Sequence, residues 1–240
     1  MALVVPFRER NTTYSDQTGR FPHTSSRGNA YLLIVYDYDS NAILAEPLRS
    51  RAAAVIWDAW DKLNQILMNR GRKPELYILD NECSSELKTA MAKYTIDFQC
   101  VSPHVHRRNA AERAIQTFKN HFVAGLASAH PDFPAQEWDR LIPQAVLTLN
   151  HLRNARVNPK LSAHAFLHGI FNFAHTPLAP PATKVVVHVK PKERNSWGQH
   201  GRDGWYIGPA LEHYRCVRVY IPTTQAEVDS DTVQFFPHDI

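Results

Sequence analysis

The chain has 240 residues, of which 44% are apolar and 21% are charged, and its formal net charge is +4. This length accommodates one large domain or two smaller ones, and the composition excludes a disordered tail or a collagen-like chain. The apolar runs, such as YLLIVY at 31–36, are far too short to cross a bilayer, so no membrane partner is expected. The N terminus has neither the basic region nor the cleavage motif of a secretory signal.

The first half of the chain alternates between strand and helix patterns. Residues 1–11 are predicted to be a leader and Thr12–Asp16 a short strand, and residues 31–48 have the pattern of a β-hairpin. Residues 51–71 have a helical apolar stripe that ends at Gly71, and ELYIL is a buried strand that ends at Asp80. A short helix to about Tyr94, the strand IDFQCV, a basic loop at 103–109 and a helix over 109–128 follow. This order predicts a mixed sheet covered by helices.

The second half is predicted to contain two more helices and a small β module. A helical stretch follows Pro134 and is expected to kink or split at Pro143. A smaller helix is predicted over Ala163–His168. Residues 176–184 contain three prolines and are the best linker candidate. Beyond them VVVHV, WYIGP, YRCVRVYI and TVQFF predict a small all-β, barrel-like module, with Trp197 and Trp205 assigned to its core rather than to base stacking.

The cysteines and histidines give little support for a disulfide framework or a zinc site. Cys83, Cys100 and Cys216 form an odd, sparse set that fits a reducing compartment. No Cys-x-x-Cys pair occurs, and His104 and His106 have no evident further ligands.

Basic side chains gather in two stretches of the chain. They favour a phosphate-backbone partner, although a solvated basic face explains the charge equally well. The first stretch holds His104, His106, Arg107, Arg108, Arg113 and Lys119, and the second holds Lys184, Lys190, Lys192, Arg194, Arg202, Arg215 and Arg218.

Acidic residues stand where a sheet and a helix would present them to a ligand. Asp80 follows a strand directly, the position where open α/β sheets bind ligands, although it could simply open a turn. Glu112 lies in the first turn of its helix and shares a face with Gln116 and Lys119. A first-turn glutamate is also favourable with the helix dipole alone. The opposite face is apolar and is expected to pack on the sheet.

A third acid is needed to complete a carboxylate metal site, and the residues alone leave Asp16, Asp37 and Asp39 as candidates. Three neighbouring carboxylates repel one another unless a divalent cation is present. Such a cluster can hold two metal ions that act on a phosphodiester, and its hard oxygen ligands select Mg²⁺ or Mn²⁺.

Several segments in a fixed order resemble the catalytic core of a retroelement integrase. LDN at 79–81, SPHVHRRNAAERAIQTFKNH at 102–121 and the upstream segment from YSDQTGRFP onward are similar to the family's motifs. The stretch from HVKPKERNSW to VQFF is similar to the region after the core in copia-type retrotransposon polyproteins. The resemblance implies an RNase H-like mixed sheet flanked by helices over 12–175, a Pro-rich linker at 176–184 and a small SH3-like or barrel module over 185–240.

The resemblance also implies a site and a reaction. It places the first catalytic acid at Asp16 rather than Asp37, because the first strand is central in this fold and lies beside the strand that carries Asp80. Asp16, Asp80 and Glu112 would hold Mg²⁺ or Mn²⁺ for 3′-end processing and strand transfer. The implied partners are element-end DNA, target DNA and further copies of the chain, and the implied location is the nucleus, with an earlier stage in cytoplasmic virus-like particles. The predicted DNA-binding residues are His106, Arg107, Arg108, Asn109, Arg113, Gln116 and Lys119.

Some residues depart from the family pattern. Glu82 stands where the family has Gly, Ala110 replaces the Gly before the helix, and Asp80 and Glu112 are 32 positions apart, slightly fewer than usual. Two alternatives therefore stay open. One is a catalytically decayed or domesticated remnant that binds nucleic acid or multimerises. The other is an RNase H-like transposase.

Overall fold

The structure is a computed structural model that describes residues 10–79, 89, 91–100, 110–194 and 196–237. Contacts divide the chain into two units. The first unit contains the described residues up to Lys119 together with Val146–Ile170, and the second contains Asn120–Ala145 and the described residues from Phe171 onward. The domain boundaries given above follow sequence composition rather than contacts and stay a prediction.

The first unit is built on a five-stranded mixed sheet with the order β3-β2-β1-β4-β5. The central strand β1 pairs antiparallel with β2 and parallel with β4, and β4 pairs parallel with β5. This arrangement confirms the predicted RNase H-like sheet, in which the first strand lies between the hairpin and the fourth strand. The strands are β1 (Thr12–Gln17), β2 (Tyr31–Asp37), β3 (Ala42–Leu48), β4 (Leu76–Leu79) and β5 (Asp97–Cys100).

Helices flank this sheet where the sequence predicts them. The first, α1 (Ala53–Asn69), buries one stripe, and Gly71 ends it with a φ of 72°, a conformation that favours glycine. Residues 91–93 are helical and belong to the predicted short helix. The later helices are α2 (Ala110–Ala127), α3 (Ile142–His151) and α4 (Ala163–His168). The buried side of α1 comprises Ala59, Trp60, Leu63, Asn64 and Leu67, and its apolar members join the core with Tyr77 and Leu79.

The break predicted at Pro143 is present. A 3₁₀ helix over Ala135–Leu141 leads directly into α3 at Ile142, so Pro143 occupies the first turn of the new helix. The missing N–H of proline costs no hydrogen bond there, because the first turn has no intrahelical acceptor for it. None of the described helices has both the length and the apolarity needed to cross a membrane.

The second unit contains a five-stranded antiparallel sheet with the order β10-β6-β7-β8-β9, which confirms the predicted all-β module. In this sheet the last strand along the chain, β10, pairs with the first, β6. The core of the sheet is formed by Val185, Val187, Tyr206, Val217, Val219 and Ile221. The strands are β6 (Lys184–His188), β7 (Gly201–Pro209), β8 (Val217–Ile221), β9 (Ala226–Ser230) and β10 (Val233–Phe236).

Within the second unit, a buried charged network joins the 3₁₀ helix to two strands of the sheet. Arg140 bonds Glu137 at 2.5 Å and also pairs with Glu227 on β9. Its guanidinium lies 4.2 Å from the ring centroid of Tyr220 on β8, and the Tyr220 hydroxyl donates to Glu137 at 3.3 Å. Because Glu137 is only 5% exposed, its charge depends on Arg140 for compensation.

Candidate active site

Asp16 lies at the carboxyl end of the central strand of the mixed sheet. It is half-buried, and its Oδ1 accepts a hydrogen bond from the backbone N–H of Gln17 at 2.7 Å. The preceding residue, Ser15, pairs in register with Leu79 on the parallel strand β4. The carboxyl ends of β1 and β4 therefore meet at one edge of the sheet, where α/β sheets present their ligand-binding side chains.

Glu112 lies in the first turn of α2, as predicted. It is exposed, and so are Arg113, Gln116 and Lys119. Because residues three or four positions apart are neighbours on a helix, Glu112, Gln116 and Lys119 form one polar strip. The apolar face predicted for this helix is confirmed by the burial of Ala111, Phe118 and Phe122, and Ile115 and Leu126 are half-buried.

The helix begins at Ala110, the position at which the sequence departs from the family's glycine. Alanine has the highest helix propensity of the amino acids, so it suits the first helical residue. The substitution therefore brings no conflict with the local backbone.

The remaining predicted site residues lie outside the described part of the chain. These are Asp80, His106, Arg107, Arg108 and Asn109. Among the described residues no group of three or more His, Cys, Asp or Glu side chains could hold a metal ion. Since the predicted triad includes Asp80, the triad stays a prediction, and Asp16 and Glu112 are its two described members.

The alternative acids Asp37 and Asp39 are buried and paired with a cation. Asp37 is 1% exposed and Asp39 is 4% exposed. Arg72 Nη2 lies 2.7 Å from Asp39 Oδ2 and 3.4 Å from Asp37 Oδ1. Burial alone lowers the pKa of Arg72, but the charges and hydrogen bonds of the two aspartates outweigh burial and raise this pKa. Both acids thus act as structural partners of Arg72, which sequence analysis did not identify.

The backbone amides add to the binding of these two acids. The Ser40 N–H donates to Asp37 Oδ2 at 2.9 Å, and the Asn11 N–H donates to Asp39 Oδ2 at 3.1 Å. Carboxylates held in this way by protein donors have little free coordination capacity for a metal ion. The signal in the sequence, two Asp residues in a turn, is typical of this backbone-capping role.

The two tryptophans assigned to the β module's core differ in their environment. Trp205 is 8% exposed and packs against the rings of His130 and Phe133, which confirms its assignment. Trp197 is 100% exposed, so its assignment to the core is wrong. It lies in the long β6–β7 connection rather than in a strand, and the polar sequence NSWGQHG around it was the available signal.

Comparison with solved structures identifies a shared fold. No family model matches the chain, and no curated protein matches it. A chain of the simian T-cell lymphotropic virus intasome, solved in complex with PP2A regulatory subunit B56 gamma, is similar over 95% of this chain and 76% of that chain, with 17% identity and a TM-score of 0.51.

Two further solved structures are weaker matches. The HTLV-2 integrase catalytic core domain in complex with magnesium has 20% identity and a TM-score of 0.48, covering 67% of this chain and 97% of that chain. The catalytic core domain of BIV integrase has 13% identity and a TM-score of 0.48, covering 65% of this chain and 93% of that chain. The shared fold is inferred from the intasome chain, since the TM-scores of the other two structures are below 0.5.

Proposed function

We propose that this protein is an integrase-type polynucleotidyl transferase that acts on the phosphodiester bonds of DNA. The observation that carries the proposal is the pairing of Ser15 with Leu79, because it brings the carboxyl ends of two parallel strands to one edge. Asp16 follows the first of these residues and Asp80 the second in sequence. Glu112, exposed in the first turn of α2, supplies the third carboxylate of the proposal.

The donor set of these three residues fits a divalent cation. All three side chains offer hard carboxylate oxygens, the ligands that Mg²⁺ and Mn²⁺ prefer. Asp16 is half-buried, whereas Asp37 and Asp39 are fully buried. When bound, the cation would supply a Lewis acid that lowers the pKa of a water or hydroxyl nucleophile and neutralises charge on the phosphate.

The chain's own residues would position DNA around this site. In the proposed first step water attacks a phosphorus near the 3′ end of the DNA, and the bond to the departing 3′ oxygen breaks. In the second step the new 3′-hydroxyl attacks a target phosphodiester and displaces another 3′-hydroxyl. Gln116 and Lys119 extend the strip that begins at Glu112, where they would contact the DNA beside the reacting bond.

The proposal includes an origin, a state of assembly and a location. The C-terminal sequence motifs support a copia-type retrotransposon origin. The intasome to which a similar chain belongs supports a homo-oligomer on DNA, which light scattering with and without DNA would test. The nucleus is the proposed location, because it contains the target DNA.

A strand-transfer assay with Mg²⁺ or Mn²⁺ tests the proposed function. We expect the Glu112→Gln variant to lose at least about 100-fold in rate, the order of loss on removing one group that stabilises the transition state. Asp58→Asn is the matched control, because Asp58 is an exposed acid on α1. If Glu112→Gln forms as much product as the unmodified chain, or if the unmodified chain forms none, the proposal is wrong. Intact DNA binding without any product would identify the non-catalytic alternative.

A further inference from the structure

Trp197 is a residue of the second unit that neither the core nor the proposed chemistry uses. Its side chain is 100% exposed, whereas Trp60, Trp138 and Trp205 are buried. Tryptophan has the largest side chain and is highly buried on average in folded proteins. A fully exposed indole contributes no buried area to the fold, so its whole face is accessible to a partner.

Trp197 lies in a loop whose two ends are joined by a backbone hydrogen bond. Its described residues, 189–194 and 196–200, lie between β6 and β7, and the Val189 N–H donates to the His200 carbonyl at 2.9 Å. Val189 itself is buried. The indole is therefore displayed from a loop with fixed ends.

The charge around this loop is positive. Residues 189–200 contain Lys190, Lys192 and Arg194 against the single acid Glu193, a net charge of +2 from three cations and one acid. Lys190 and Lys192 are exposed, as is Arg202 just after the loop on β7. Exposed cations beside an exposed aromatic ring are the combination by which proteins hold single-stranded nucleic acid.

A groove of about 350 Å³ lies at the base of the same loop. It is lined by the polar residues His188, His200, Thr232 and Gln234 and by Val186, Gly201 and Val233, which all belong to or adjoin β6, β7 and β10. This volume is at the small end of the range for ligand pockets. Four of the groove's seven lining residues carry side chains that can hydrogen-bond to a nucleotide.

We propose that Trp197 stacks on an unpaired base of single-stranded nucleic acid whose phosphates contact Lys190, Lys192 and Arg202. The inference deepens the proposed function, on whose nucleic-acid substrate it rests, by adding unpaired ends or strands to what the chain recognises. A base inside a duplex cannot offer its face to an indole without unstacking. The contact therefore discriminates single-stranded from duplex nucleic acid.

Binding of the full chain to a fluorescent oligo(dT) of about 20 nucleotides, measured by anisotropy without divalent cations, tests this inference. We expect Trp197→Ala to weaken binding roughly 5- to 150-fold, the range for loss of one stacked base. Trp197→Phe should retain most of the affinity, because phenylalanine keeps an aromatic face. Leu211→Ala is the matched control, since Leu211 is an exposed apolar residue of the same unit, 57% exposed, and it should bind as the unmodified chain does.

Blunt duplex DNA and oligo(U) complete the experiment. Trp197→Ala should weaken binding of the duplex less than about 2-fold. Tighter binding of oligo(dT) than of oligo(U) by the unmodified chain would identify single-stranded DNA as the ligand, and the reverse would identify RNA. Unchanged oligo(dT) affinity, an equal loss on duplex, or a change confined to self-association would each overturn the inference. Binding that depends on Trp197 without strand transfer would overturn only the proposed function, and strand transfer without such binding would overturn only this inference.

Discussion

Asp16 and Asp37 lie at opposite ends of the same strand pair, because Asp16 pairs with Ile34 and Asp37 pairs with Thr13 on the antiparallel strands β1 and β2. Asp37 is thus near the amino end of β1, whereas Asp16 is at the carboxyl end, next to the end of β4. This geometry is consistent with the proposed role of Asp16 as the first metal ligand. It also gives Asp37 a separate role as a partner of Arg72.

The two aspartates should therefore respond differently to removal of their charge. Asp16→Asn is expected to reduce the rate of strand transfer at least about 100-fold. Its loss of stability should be less than about 1 kcal/mol, because Asp16 is half-buried. Asp37→Asn is expected to lose about 1–3 kcal/mol of stability, since it weakens a buried contact to Arg72. Urea unfolding and product yield measure the two effects. Loss of product from Asp37→Asn while it is still folded would contradict this division of roles.

The buried network around Arg140 makes a prediction about stability. Arg140→Met leaves Glu137 with an uncompensated buried charge and is expected to cost about 3–5 kcal/mol. Arg218→Met is the control, because Arg218 forms an exposed pair with Asp229 whose loss should cost less than about 1 kcal/mol. Chemical unfolding of both variants compares them. Equal stability of the two would show that the network contributes no more than a surface pair.

A histidine cluster in the first unit predicts a loss of stability in acid. The ring centroids of His151 and His164 are 4.2 Å apart, and those of His164 and His168 are 4.8 Å apart. Burial, followed by the charges of His151, His168 and Arg70, lowers the pKa of His164 to about 4. Because the unfolded chain then binds more protons than the folded chain between about pH 6.5 and pH 4, stability falls as the pH falls through this window.

The expected loss between pH 7 and pH 5 is on the order of 1–2 kcal/mol from His164. Urea unfolding at both pH values measures it, and His164→Gln should reduce the difference, since glutamine does not titrate. His23→Gln serves as the control, because His23 is an exposed histidine in a different part of the chain. A pH dependence that is unchanged in His164→Gln would assign the loss to other groups.

Close packing at Gly204 makes a further prediction. A Cβ at this position would lie 2.9 Å from the carbonyl oxygen of Tyr220 and 2.5 Å from Val219 Cγ1, so the neighbouring strand β8 would have to move. Gly204→Ala is expected to destabilise the chain by about 1–3 kcal/mol. Gly19→Ala has no atom within 4 Å of the added Cβ and should be nearly neutral. Thermal unfolding compares the two, and an unaffected Gly204→Ala would contradict the packing described for this sheet.

The polar strip of α2 makes a prediction about salt dependence. If Lys119 contacts a phosphate, Lys119→Gln should weaken duplex binding and reduce the slope of log K against log salt by about 1. Lys62→Gln is the control, because Lys62 lies on α1 and is paired with Glu46. An unchanged slope for Lys119→Gln would remove Lys119 from the DNA contact.

Local patterns predicted the elements whose signal lies within the element itself. The apolar stripe and Gly71 defined α1, Pro143 located the break before α3, and the alternation of β and α elements gave the class of sheet. β9 was missed because its sequence, AEVDS, is polar and largely exposed, which is typical of an edge strand. Its pairing with β8 rather than its composition makes it a strand.

The site was less predictable because it depends on contacts between distant residues. The resemblance predicted Asp16 rather than Asp37 as the first acid, whereas the register of β1 with β2 and β4, which is consistent with that prediction, is encoded by no single segment. The pairing of Arg72 with Asp37 and Asp39 joins residues more than 30 positions apart. The exposure of Trp197 reverses the usual expectation for a large aromatic residue, and such exceptions occur at functional sites.

Anomalous diffraction from crystals soaked in Mn²⁺ tests the central claim most directly. The account predicts manganese bound by oxygens of Asp16, Asp80 and Glu112 at about 2.0–2.2 Å, and loss of this signal in Asp16→Asn but not in Asp37→Asn. Manganese bound instead at Asp37 and Asp39, or Asp16 more than about 10 Å from the other two acids with no metal between them, would contradict it.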